Sequence, residues 1–190
     1  MITKENLFRP HEILTQRDNQ TCLLCCLLMA RSALFGENLN FYSLEKELYH
    51  SSFGLYPSNF MLGRCAAFTQ RFPDIQLDIS IDNEELTNDL RELSKEPSIQ
   101  FYHQEITANW IMESLSRRPM TVYVDQLHLG GDVHSPHFIY LYKNDENVLN
   151  MVDPAFGQDK ILQPETLHHA LMGLKYQMLW SPLVIAMEKS

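Results

Sequence analysis

The segment Gln16-Arg17-Asp18-Asn19-Gln20-Thr21 is polar and turn-forming, and it ends at Cys22. Cys22 opens an apolar run, Leu23-Leu24-Cys25-Cys26-Leu27-Leu28-Met29-Ala30, with no proline or glycine before Gly36. This pattern predicts a loop feeding a buried helix, with Cys22 in the first turn. There the unpaired N–H groups and the helix dipole favour a thiolate over a thiol. A thiolate held this way is a nucleophile for carbonyl carbon, and it needs a base and a group to orient that base.

The C-terminal half contains a pair that fits. His137 begins the strand-like run His137-Phe138-Ile139-Tyr140-Leu141-Tyr142, and a polar turn, Lys143-Asn144-Asp145-Glu146-Asn147, follows. The next run, Val148-Leu149-Asn150-Met151-Val152, ends at Asp153-Pro154. A hairpin closed around Asp145-Glu146 pairs 144 with 147 and sets 137 opposite 154, beside Asp153. A shift of one residue sets His137 directly across from Asp153. Cross-strand neighbours lie about 4.5–5.5 Å apart, within reach of an imidazole–carboxylate hydrogen bond, which is how a general base has its tautomer fixed.

Each residue alone has a plainer reading. Cys22 by itself reads as a small buried hydrophobe, Asp153 as a strand-end turn residue and Gln16 as a solvated loop side chain. Cys25 and Cys26 fall among packed leucines and read as core. Cys22-Leu-Leu-Cys25 has the spacing of a redox pair, but no strand precedes it. His128, His134 and His137 with Asp132 form a possible metal set. His134 and His137 are three apart at a strand start, however, and that spacing does not put two side chains on one face.

The elements that must position these residues follow from periodicity. Helices are expected over about Cys22–Leu34, from Ser43, from Ser58 to Pro73, over Asn83–Glu96, Asn109–Arg118 and Glu165–Leu174. Ile75, Leu77, Ile79 and Ile81 alternate with polar residues as a half-buried strand, and Ile99–His103 reads as another. Met120–Val124, His137–Tyr142, Val148–Val152 and Met178–Met187 read as late, antiparallel strands. The expectation is an α+β fold in one domain spanning 1–190: a helical N-terminal half around the cysteine helix, then a C-terminal antiparallel sheet.

Composition narrows the function. A chain 45% hydrophobic and 21% charged is ordinary globular material. A net charge of -9 argues against a general nucleic-acid or anionic-membrane surface and suits a basic peptide or amine better. Four clustered cysteines do not make a disulfide scaffold, so reduced thiols and a cytoplasmic location are expected. The apolar run at 22–30 is far short of the roughly 20 residues that span a bilayer, and the first 20 residues are not a secretory signal. No membrane insertion is expected.

Together these residues resemble the C39 and C39-like cysteine peptidases, a branch of the papain-like fold. The shared features are a glutamine six residues before the cysteine (Gln16), then a second cysteine and a methionine at the offsets of Cys26 and Met29. Downstream come His137-Phe138-Ile139 and Asp153-Pro154-Ala155-Phe156-Gly157. Ser52-Phe53-Gly54 and Arg118-Pro119-Met120-Thr121-Val122 are similar as well, so the likeness spans about 14–157. The resemblance implies a papain-like fold with Cys22 as nucleophile, His137 as base, Asp153 as its orienter and Gln16 as side-chain donor of an oxyanion hole. The Cys22 N–H would be the second donor.

Implied with it is a peptidase or amidase that forms a thioester on a peptide or amide substrate, without metal or organic cofactor. An acyltransferase using an acyl-thioester through the same intermediate, and an inactive binding module, are the alternatives. Leu23 stands where the family commonly has glycine. With no Walker-type loop and no membrane span, the chain reads as a stand-alone member.

Overall fold

The structure is a computed structural model that describes residues 8–18, 20–143 and 148–190. The turn expected at Asp145-Glu146, residue 19 and the first seven residues of the lead-in lie outside the described residues. The described chain is a mixed α+β fold with six α-helices and one seven-stranded, mostly antiparallel sheet.

Three helices come first: α1 (Cys22–Phe35), α2 (Phe41–Ser52) and α3 (Phe60–Arg71). Then follow β1 (Ile75–Ile81), α4 (Glu84–Leu93), β2 (Ile99–His103) and α5 (Ala108–Ser114). The late elements are β3 (Met120–Asp125), β4 (Pro136–Lys143), β5 (Leu149–Asp153), β6 (Gln158–Ile161), α6 (Pro164–Met172) and β7 (Leu183–Lys189).

Helix starts are set by capping chemistry. The side chains of Asn40, Asn59, Asn83 and Thr107 accept from the N–H groups of Ser43, Leu62, Leu86 and Trp110, opening α2, α3, α4 and α5. The second helix therefore starts at Phe41 with Asn40 as its cap, two residues before the expected Ser43. Helix α1 is different. Thr21 occupies its cap position but makes no cap hydrogen bond, because its hydroxyl donates to Glu45 Oε1 at 2.6 Å. The first N–H groups of α1 are left for another acceptor.

The strand order is β2-β1-β7-β3-β4-β5-β6. β1 and β2 are parallel, joined through α4, and every other pairing is antiparallel. The expected division into a helical half and a sheet half is corrected here. β1 pairs with the last strand, β7, along seven residues, so one sheet draws strands from both halves. The physical reason is the apolar face Ile75, Leu77, Ile79 and Ile81, which is fully buried and needs a sheet interior.

The sheet separates two cores. On one side, α1 packs with Leu48, Phe68, Ile79 and Tyr140; on the other, Val122, Ile139 and Val184 pack with α5 and α6. Every residue of α1 from Cys22 to Ser32 is buried, as the all-round apolar pattern predicts. The strand expected at 178–187 begins only at Leu183, because a π-helical turn (Gly173–Gln177) and a left-handed Leu179 occupy the preceding chain. β6 was not foreseen; its four residues are mostly polar and half-exposed. Among the described residues, no helix is long and apolar enough to cross a membrane.

Candidate active site

Cys22 is the first residue of α1, and its side chain is 9% exposed. The N–H groups of Leu23, within the helix, and of Phe138, on β4, act electrostatically on its sulfur and lower its pKa. The His137 imidazole is coupled to the same sulfur and lowers it further. The thiol thus sits where the start of α1 meets the start of β4, with donors from both.

His137 is almost fully buried, and its Nε2 lies 2.8 Å from Oδ1 of Asp153. With Nε2 occupied, Nδ1 is the nitrogen left for Cys22. The hairpin register differs from the expected count. β4 and β5 pair Tyr140 with Val152 and Leu141 with Met151, so continuing the ladder sets 153 across from 139, not from 137. His137 and Asp153 are therefore diagonal neighbours, a spacing that a side chain as long as histidine still bridges. The register slides one residue the opposite way from the shift that would have placed them face to face, and the side chains meet regardless.

Asp153 is completely buried. Its Oδ1 accepts from His137 and from the N–H of Ala155, both at 2.8 Å, while Oδ2 has no partner. Its carbonyl accepts from the N–H of Gly157 at 2.9 Å, forming a tight turn. Gly157 has a left-handed φ of +59°, and a Cβ there would lie 2.1 Å from Thr15 Oγ1. Glycine is required twice over, for the turn and for the approach of the Thr15-Gln16 segment.

That approach fastens Gln16. Its N–H donates to the Pro154 carbonyl at 2.7 Å, so the loop before Cys22 is tied to the residue after Asp153. The Gln16 side chain is half-buried, and its Oε1 has no hydrogen-bond partner. Glu45 holds the same loop from α2. Its Oε1 accepts from the Arg17 N–H at 3.2 Å, the Thr21 hydroxyl at 2.6 Å and the Cys25 thiol at 3.5 Å. Glu45 was not among the expected site residues. The signal was available, since Phe41, Leu44, Leu48 and Ser52 form the buried stripe of α2 and a carboxylate sits within it.

Electrostatics single out one thiol. Burial pushes Cys22 up, but the hydrogen bond and charge of His137 with the Phe138 and Leu23 N–H groups outweigh it, and its pKa falls below the ordinary cysteine value. Burial raises the other three: Cys25 further by Glu45, Cys26 strongly, and Cys65 to about 12. His137 moves the opposite way to its thiol. Burial pushes it down, yet Asp153 and Cys22 carry it up to about 9. A lowered thiol beside a raised imidazole is the direction that favours a thiolate–imidazolium pair.

Beside this pair lies an apolar cavity of about 430 Å³, walled by Phe60, Met61, Tyr123, Phe138, Trp180 and Leu183 among others. Two of its wall residues, Phe138 and Tyr123, are coupled electrostatically to Cys22, while neither Cys22 nor His137 lines the cavity itself. Leu23 is 1% exposed and packs into the core, so it takes no space from the cleft. The four sequence-selected residues fall into one neighbourhood: His137 is hydrogen-bonded to Asp153 and coupled electrostatically to Cys22, and Gln16 is tied to Pro154. The histidines of the alternative metal set separate, because His137 joins Cys22 while His128 and His134 gather around Asp125. Asp132 is exposed and does not join that group. All four cysteines are free.

Neither protein-family models nor curated proteins give a match to this chain.

Proposed function

We propose that the chain is a cysteine hydrolase of peptidase or amidase type, of the C39-like, papain-like kind its sequence resembles. The observation that carries this reading is the chain from Cys22 through His137 to the fully buried Asp153, with 2.8 Å between imidazole and carboxylate. Cys22 attacks the carbonyl carbon of a peptide or amide, and the carbonyl oxygen becomes an oxyanion. The Cys22 N–H and the Gln16 side-chain Nε2–H donate to it. His137, protonated in the ion pair, gives its proton to the leaving amine. A thioester on Cys22 remains. His137 then takes a proton from water, which attacks the thioester and releases the acid.

The nearby apolar cavity suits a substrate with an apolar side chain or short acyl group next to the reacting carbonyl. The same feature gives weight to a second reading, acyl transfer, in which another nucleophile replaces water at the thioester. Free thiols suit a reducing compartment such as the cytoplasm.

The test is a panel of short peptide amides and thioesters with apolar acyl residues, followed by product release and by the intact mass of the protein. Turnover with an acyl adduct on Cys22 is expected. Gln16→Ala should lower kcat by about 10²–10³-fold, the loss typical of one oxyanion donor. If no substrate forms an adduct and Cys22→Ala turns over as fast as the wild type, the hydrolase reading fails.

A further inference from the structure

Asp125, the last residue of β3, is completely buried. Its Oδ1 accepts from the N–H groups of Leu127 at 3.2 Å and Ser135 at 3.3 Å, at the two ends of the connection that leads from β3 to β4. Its Oδ2 faces two imidazoles, with His134 Nδ1 at 2.6 Å and His128 Nε2 at 3.7 Å. His128 Nε2 is itself buried and has no hydrogen-bond partner. The three donor atoms all lie within 4.8 Å of one another.

Those separations have the size a metal requires. Four tetrahedral donors at the usual zinc distances stand ~3.3 Å from each other. The two edges at Asp125, 2.6 and 3.7 Å, bracket that value and the third is no longer than 4.8 Å, so side-chain adjustments of modest size bring the donors onto one ion. The chain also leaves room above them. A Cβ on Gly173 would lie 2.5 Å from Asp125 Oδ2 and 2.8 Å from His128 Nε2, so any larger residue would press on two of the three donors. Gly173 begins the π-helical turn, an irregularity frequent at functional sites. The ring of His169, on α6, stands 6.2 Å from that of His128.

We infer that Asp125, His128 and His134 bind a zinc-class divalent cation, with a water in the fourth position. Two imidazoles and a carboxylate suit zinc. The N–H groups of Leu127 and Ser135 hold the carboxylate in place, as partners behind a metal ligand do. The ion takes no part in chemistry at Cys22. It closes the 126–135 connection, and that connection delivers β4 with His137 near its start.

The experiment titrates the chelator-treated full chain with zinc against a chromophoric competitor, and with cobalt by absorption. One equivalent should bind, Tm should rise with zinc, and cobalt should give d–d bands without thiolate charge transfer. His128→Ala and His134→Ala should each weaken binding tenfold or more, while Cys22→Ala keeps full stoichiometry. His134 is 43% exposed, so replacing it leaves the fold intact and separates lost ligation from lost structure. Loss of binding in Cys22→Ala but not in His134→Ala would overturn the site, and so would the absence of saturable binding in the wild type.

Discussion

His137→Ala should cut amide or thioester turnover by about 10²–10⁴-fold, the contribution of a positioned general acid–base, and should move the Cys22 thiol upward in pKa. The direction follows from the balance at the sulfur. Burial pushes Cys22 up, and the hydrogen bond and charge of His137 are the larger of the contributions opposing it. Without the imidazole, burial dominates.

The wild type should show a bell-shaped rate against pH. On the acid side the thiolate of Cys22 takes a proton, below the ordinary thiol range because its pKa is lowered. On the alkaline side activity falls as His137 loses its proton near pH 9 and no acid is left for the leaving group. The variant should lose this bell, and the measurement is initial rate against pH for both proteins. An unchanged profile in His137→Ala would remove His137 from the chemistry.

Asp153→Ala should be nearly as damaging, through position and not through direct contact with substrate. Removing the carboxylate frees the His137 ring to turn and leaves the half-buried Ala155 N–H without its acceptor. A misplaced base costs about 10²-fold in rate, and a donor orphaned in a half-buried position costs less than the ~1–3 kcal/mol of a fully buried one. Asp153→Asn separates the two roles. Both hydrogen bonds fall on Oδ1, which an asparagine oxygen reproduces, while Oδ2 has no partner to lose. Asn should therefore recover much of the rate lost in Ala. The charge of Asp153 is one of the causes raising His137, so in Asn the alkaline limb should move below its wild-type position near pH 9. A rate in Asn as low as in Ala, with no displacement of that limb, would count against the positioning role.

What was legible in the sequence was local. A proline-free apolar run gives α1 its all-round burial, and Gly36, with φ of +68°, ends it where expected. The alternation at 75–81 gives β1, but not its half-buried character: Asp78 and Ser80 on the other face are buried as well, because elements packed on both sides of the sheet cover the strand. What was not legible depends on partners remote in the chain. No periodicity says that β1 lies against the final strand. The hairpin count brought His137 and Asp153 together with the wrong register, since the ladder pairs 140 with 152 where the count paired 140 with 151, and a long side chain spans the difference. Glu45 is visible as a carboxylate in an apolar stripe, but its three donors, Arg17 and Thr21 in the loop and Cys25 in α1, are brought near only by the packing of α2 against α1. Asp125 was missed in favour of Asp132 because the sequence places three histidines close to both. Burial decides between them, and it selects the residue at the strand end.

Alkylating the native protein across a pH series, with the label located by peptide mass spectrometry, tests most directly whether Cys22 is a thiolate held by His137 inside a folded site. The label should appear on Cys22 well below the free-thiol pKa of about 8.5, with Cys25, Cys26 and Cys65 unlabelled because burial raises all three. Cys22 that stays unlabelled until the protein is denatured, or labels only at the pH of an ordinary thiol, would contradict a thiolate held in this way.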